Sequence, residues 1–368
     1  MRRRASSWRA RLCALATLAA VLAAPDSALA WNATGHVLIA LLAYDALAPA
    51  QRAALTQLLQ AHPRFGADLV PALPPALPDA ARDRWLFALA ATWPDLARGQ
   101  PLMDHGTWHY VNLPLTLRHG ALVSCQQARR ELPDSMRRSA ELDAARRAQG
   151  LPGIPSGDSI REALPKNLRT LSDASASREE RALALSWVLH LVGDVHQPLH
   201  TVSLFTAHRF VGGDRGGNDI LVHEQGALHH VWDDLLGIDA TPDAVESSLR
   251  QLVRPAAPAV RVPRDVGAWV DSWIDEGCEQ ARAGVYAPSV LRAVERFEAS
   301  PPAAPASSAT STPTAAPAPA IAPAAAAAPA KPELVASPDY LRQARQRASE
   351  RARIAAARLA ALLAGIRL

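Results

Sequence analysis

Residues 181–200 read RALALSWVLHLVGDVHQPLH, and the change of character along this stretch sets the fold. Arg181 to Val192 is a strongly apolar helix. His190 and Asp194 then fall one helical turn apart and share a face. Pro198 breaks the helix and lets His200 turn back toward that face. Outward from this block the helical pattern continues. Val37 to Leu59 carries apolar residues at mixed spacings of three and four, Trp269 and Trp273 stand one turn apart, and Tyr340 to Ile366 is a long Ala/Leu/Arg helix. Alternating runs and Asn-Gly or Asp-Gly turns are few. The fold class expected is all-α: one mainly helical domain, with a short β-hairpin inserted between helices in the glycine-rich stretch Phe210 to His230, around Ile220-Leu221-Val222.

The ends and one internal tract have different compositions. Arg2, Arg3, Arg4, Arg9 and Arg11, an apolar run from Leu12 to Ala24, and then Ala28-Leu29-Ala30 read as a signal peptide cleaved before Trp31. An apolar core of that length is too short to span a bilayer comfortably. The expectation is therefore an exported protein, secreted or periplasmic, without stable membrane association after cleavage. Ala299 to Pro332 is an Ala/Pro/Ser/Thr tract that cannot bury a core. The expected organisation is residues 1–30 as signal, 31–298 as the main domain, 299–332 as a disordered insertion, and 333–368 as a terminal helix packing back on the domain.

Charge argues against a simple electrostatic grip on polyanions. The signal segment holds five of the 39 basic and one of the 35 acidic residues, so 34 of each remain and the mature chain is formally neutral. Attraction for phosphate would have to come from local groups or bound cations. Cys13 leaves with the signal. Cys125 and Cys278 could pair in an oxidising compartment or stay as two buried thiols, a choice that residue spacing leaves open. No Cys-x-x-Cys occurs, which argues against thiolate zinc sites.

Histidine clusters instead. Seven of the twelve lie between His190 and His230. His229 and Asp233 repeat the four-residue spacing of His190 and Asp194, and imidazole and carboxylate on adjacent turns can chelate one zinc. A lone pair of this kind is usually an ordinary helical hydrogen bond; two pairs forty residues apart point to ligands. Further candidates lie upstream: Asp95 in ATWPDLAR, His109 in WHYVNLP, and His36 in WNATGH. Cleavage before Trp31 would free an α-amino group that can deprotonate near neutral pH, and its amine and carbonyl could chelate a metal with His36 as a third ligand.

Taken in order, the motifs Trp31-x-x-x-Gly-His36, Thr-Trp-x-Asp95-x-x-Arg98, His109-Tyr-Val, His190-x-x-Gly-Asp194-x-His-Gln-Pro-Leu-His200, Gly-Gly-Asn218, Leu-His229-x-x-Trp-Asp233 and a final Arg-Leu-Ala helix form a pattern over nearly the whole mature chain. It resembles the S-one/P-one family of zinc-dependent single-strand-specific nucleases, of the phospholipase C/P-one nuclease-like superfamily. The resemblance implies three zinc ions per chain. Asp95, His109, His190 and Asp194 would hold one ion of a close pair, Trp31, His36 and Asp194 its partner, and His200, His229 and Asp233 a third. It also implies a catalytic role for Asp95 and for Arg98, where family members often carry Lys, and a base pocket formed by Tyr110, Asn112 and Asn218. Asn112 departs from the carboxylate of fungal members, which puts base preference in question. The substrate implied is single-stranded nucleic acid or a nucleotide, handled by a monomer.

Two other readings compete. A zinc-dependent phospholipase C would share the N-terminal Trp and a related three-zinc frame, but Asp233 stands where such lipases carry Glu, and Gly216-Gly217-Asn218 resembles the nuclease base pocket. A non-catalytic zinc-binding protein would be expected to close each site with four protein ligands. His196 and His230 lie inside the motifs and are expected to support or pack rather than ligate. No function is assigned to His62, His105, His119, His208 or His223, and the Asn32-Ala-Thr34 sequon is incidental.

Overall fold

In the computed structural model, the structure describes residues 31–118, 120–131, 157–252, 266–300 and 331–367. The expected signal peptide, most of the Ala/Pro tract and His119 lie outside the described residues. Helix dominates, as the periodicity requires. The helices that matter for the site are α1 (Ala33–Ala46), α2 (Pro49–Leu59), α3 (Asp79–Ala90), α4 (Trp93–Leu96), α5 (Ile160–Ser172), α6 (Arg178–Asp194), α7 (Leu228–Asp233), α8 (Pro242–Leu252), α9 (Val266–Gln280), α10 (Pro288–Ala299) and α11 (Pro338–Ala364). None of the described helices is long and apolar enough to cross a membrane.

Helix α6 runs through the core and packs against α1, α2, α5 and α11. Ser177 and Glu180 form a capping box at its start, which satisfies the first free N–H groups. From Ala182 to Asp194 nearly every residue is buried, so the helix is enclosed on all sides. Burying Leu185, Val188, Leu189, Leu191 and Val192 stabilises the fold by about 1.5–3 kcal/mol each. Helix α1 is enclosed in the same way from Thr34 to Leu41, and Asn32 caps it by accepting from Gly35 N. The Asn32 amide also donates to Asp234 Oδ1 and Gly237 O, both at 2.7 Å, so this sequon asparagine is a structural tie.

Helix α11 closes the core by packing along α1 and α6. Its end is fastened by Gln51, whose amide donates to Leu363 O at 2.6 Å, and by Arg181, which donates to Arg367 O. Tyr340 near its start donates to Val285 O and accepts from Trp232 Nε1.

The expected hairpin is present. Strands β4 (Leu221–Val222) and β5 (Gly226–Ala227) pair antiparallel, and β6 (Glu333–Leu334) adds in parallel to β4. A second small sheet was not anticipated. Strand β1 (Leu113–Arg118) pairs antiparallel with β2 (Ala121–Leu122) and parallel with β3 (Val202–Phe205), Leu113 facing Val202. β1 begins just after His109 and β3 just after His200, so in-register parallel pairing sets those two histidines side by side. The cysteines are joined: a Cys125–Cys278 disulfide, Cα–Cα 5.9 Å, ties the segment after β2 to α9.

Candidate metal centre

The end of α6 delivers His190 and Asp194 from one face, as their spacing requires. His36 comes from α1, and its ring stacks on that of His190 at 4.0 Å between centroids. That approach depends on Gly193, where a Cβ would lie 2.8 Å from His36 Nδ1. Trp31 is fully buried, and its indole Nε1 donates to Gly193 O at 3.0 Å, which holds residue 31 against the same turn. Asp95 stands on α4, whose Trp93 is pinned by donation to Asp68 Oδ2.

Three groups of side chains converge with their ligand atoms within 4.8 Å of one another: His36, His190 and Asp194; Asp95, His109 and His190; and His200, His229 and Asp233. The first two share His190, and Asp194 reaches across both, lying 3.3 Å from His36 Nε2 and 3.0 Å from His109 Nδ1. All nine residues predicted as ligands therefore fall in or against this region.

Backbone carbonyls orient the rings. His190 Nδ1 donates to Ala91 O at 2.7 Å, His200 Nδ1 to His109 O at 2.6 Å, and His229 Nδ1 to Gly216 O at 2.7 Å. A carbonyl only accepts, so the proton is on Nδ1 and each Nε2 is turned toward a cluster, the arrangement that metal-ligating histidines adopt. Gln197 Nε2 donates to Asp233 Oδ1 at 2.8 Å and fixes that carboxylate.

The groups fit a cation better than they fit each other. Both ring nitrogens of His36, His109 Nε2, Asp194 Oδ1 and Asp233 Oδ2 are buried without a hydrogen-bond partner, a costly state for polar atoms. Burial lowers the pKa of His36, His109 and His200, favouring neutral rings with a lone pair to offer. Burial also opposes ionisation of Asp194, but the charge of His190, the hydrogen bond from His109 and the close imidazoles of His190 and His36 outweigh it and hold Asp194 well below the usual range. Asp233 is pushed well above that range by burial, against the Gln197 hydrogen bond and with Asp194 and Asp234 adding to the shift. A carboxylate in such a position needs a positive partner in order to ionise.

Arg98 lies one turn beyond Asp95, with Nε 3.1 Å from Asp95 Oδ1. Tyr110 is half-buried, and its hydroxyl sits in the field of both Arg98 and Arg215. Asn218 is nearly buried, its amide donating to Arg215 O at 2.8 Å. Asn112 is exposed just before β1. His196 is not turned to a cluster: Nδ1 donates to Val192 O and Nε2 accepts from Arg358, so it supports the turn, as expected. His230 is exposed and faces Asp234. Sequence reasoning did not reach Trp187, whose indole packs against the rings of His109 and His190, or Gln197, although Gln197 lies inside the quoted block. The acceptors Ala91 O, His109 O and Gly216 O carry no residue-type signal at all.

A mainly helical body enclosing three adjoining His/Asp clusters, each of which could hold a metal ion, defines the class of protein. The S1/P1 Nuclease family profile matches residues 31–367, and the chain belongs to that family. It is similar to Endonuclease 5 of Arabidopsis thaliana, 42% identical over 74 residues that cover 19% of this chain and 22% of that protein. Endonuclease 2 of the same plant is 36% identical over 83 residues, covering 22% and 26%. Nuclease S1 of Aspergillus oryzae is 40% identical over 62 residues, covering 16% and 18%. The aligned segments thus span about a quarter or less of these relatives.

Proposed function

We propose that the protein is an exported zinc-dependent nuclease that hydrolyses phosphodiester bonds in single-stranded DNA and RNA, giving 5′-phosphate products, and that also removes the phosphate of 3′-nucleotides. The observation that carries this reading is the set of three adjoining clusters with buried, unpartnered ligand atoms. The family match begins at Trp31, the residue that signal cleavage would expose, and this supports a signal of residues 1–30; the rest we divide into a nuclease domain of 31–298, an insertion of 299–332 and a terminal helix of 333–368.

Asp95, His109, His190 and Asp194, with Trp31 and His36, would hold a close pair of zinc ions, and His200, His229 and Asp233 a third. When bound, the ions supply hydroxide at neutral pH and neutralise charge on the phosphate. Arg98, aimed by its ion pair with Asp95, holds the phosphoryl oxygens as charge builds on them. The Tyr110 ring offers a stacking surface to an unpaired base, while Asn218 and Asn112 offer amide groups to its edge. This geometry favours bases that are already unstacked.

The test is a side-by-side assay of the processed protein on single-stranded DNA, RNA, 3′-nucleotides and phosphatidylcholine, with zinc counted per chain. Three zinc ions with nucleic-acid turnover are expected. Turnover of lipid alone would overturn the reading, as would zinc that affects folding without any turnover. A variant retaining one residue before Trp31 should lose one zinc and most activity.

A further inference from the structure

In a formally neutral mature chain, a grip on a polyanion has to be built locally. The loop between β3 and β4 carries such a feature. Arg215, Gly216 and Gly217 have consecutive positive φ values of 54°, 61° and 85°. Gly216 cannot be replaced freely, since a Cβ there would lie 2.6 Å from Leu199 O. Arg215 has no such excuse: it holds a left-handed conformation that disfavours any residue with a Cβ, and its side chain is 57% exposed.

The guanidinium is aimed. Its Nε and Nη2 fork onto the two oxygens of Asp219, each at 3.1 Å. The same carboxylate takes Lys331 Nζ at 3.1 Å, and Lys331, one of only two lysines in the chain, also donates to Asn218 O. One negative charge therefore serves two positive ones, leaving a net positive charge beside the base pocket. Arg215 is joined to that pocket through its backbone, its carbonyl accepting from the Asn218 amide at 2.8 Å.

We propose that Arg215 and Lys331 form a subsite for a second phosphodiester group, next to the nucleotide held by Tyr110 and Asn218. The inference rests on the nuclease reading above and deepens it by assigning a preference for strands over mononucleotides. A phosphate presents to Arg the same two-oxygen edge that Asp219 presents, so Asp219 keeps the fork preset and yields it to the strand.

The test uses the zinc-loaded, processed protein and the variants Arg215→Gly, Arg215→Lys and Lys331→Gln. Glycine removes the charge and suits the left-handed backbone, so folding is preserved, while lysine restores a charge. The readout is the ratio of kcat/KM on a single-stranded decamer to that on a 3′-nucleotide, which carries a single phosphomonoester and no further phosphate. Arg215→Gly should lower this ratio about fivefold through KM, as befits one exposed ion pair. It should also reduce the slope of log KM against log salt by about 0.7, the value for one phosphate contact on a single strand. Arg215→Lys should recover most of the ratio, and Lys331→Gln should lower it less. An unchanged ratio and salt slope in Arg215→Gly, or equal losses on both substrates, would overturn the subsite. Failure of the wild-type protein to cleave any nucleic acid would show earlier, before any variant is compared, and would overturn the underlying reading and the subsite together.

Discussion

His200 and His229 turn their Nε2 atoms toward each other at 3.1 Å while each donates Nδ1–H to a backbone carbonyl. In their neutral forms two lone pairs face one another, a repulsive arrangement unless a cation lies against both. Chelation should therefore destabilise the fold as well as remove activity. Zinc at about 100 times its Kd should add about 2.7 kcal/mol of stability over the chelated protein, read as a rise in Tm. Gln197→Ala, which frees Asp233, should weaken zinc binding by about 10- to 100-fold at this cluster only, measured by titration against a competing chelator.

Gly193→Ala sets helix propensity against site geometry. Alanine is better than glycine in a helix interior by about 1 kcal/mol, yet its Cβ would meet His36 Nδ1 at 2.8 Å and Cε1 at 3.0 Å. His36 must shift, so the variant should bind fewer zinc ions per chain. Metal content and circular dichroism together check this, and full zinc content would refute it.

Two buried groups give the stability profile opposing slopes in mild acid. Burial lowers His62 from 6.5 to about 4, so between these values the unfolded chain holds a proton that the folded chain does not. Its contribution is present above pH 6.5 and is lost as pH falls through about 4, by up to about 3 kcal/mol. Burial raises Asp214 from 3.8 to about 6, despite the hydrogen bonds from Leu204 N and Tyr286. Its contribution is present below pH 3.8 and is lost as pH rises through about 6, by a similar amount. The wild-type profile should be flattened by cancellation. Asp214→Asn should unmask a stability that climbs with pH between about 4 and 6.5, and His62→Gln one that falls between about 4 and 6, both read by urea denaturation.

Replacing Cys125 and Cys278 together with serine should cost about 2–5 kcal/mol, because the bridge closes a loop across a sequence separation of 153 residues. The midpoint of denaturant unfolding checks it. A cost well under 1 kcal/mol would mean that α9 and the segment after β2 are held mainly by other contacts, such as the Arg129–Asp275 ion pair.

What could be read in advance was whatever is periodic. The four-residue spacings of His190 with Asp194 and His229 with Asp233 are set by helix geometry, and the apolar run through α6 signals its own burial. Pairing between distant segments was not readable. Leu113 to Arg118 is a short run broken by Pro114, and nothing in it announces a parallel partner nearly ninety residues later. Yet that pairing is what brings His109 and His200 together. The cysteine bridge stayed open for the same reason. Arg215 was passed over because its left-handed backbone is a property of the loop, invisible in residue type.

Helix α11, packed along α1, makes the enclosure of His36 a long-range matter. His36 stands on one helix, while the surface that covers that helix comes from a segment about three hundred residues further along, fastened by the Gln51 bond to Leu363 O and the Arg181 bond to Arg367 O. A chain cut before α11 would therefore leave α1, and the cluster it carries, open to water, so the integrity of the candidate metal centre is hostage to a helix that contributes no ligand to it.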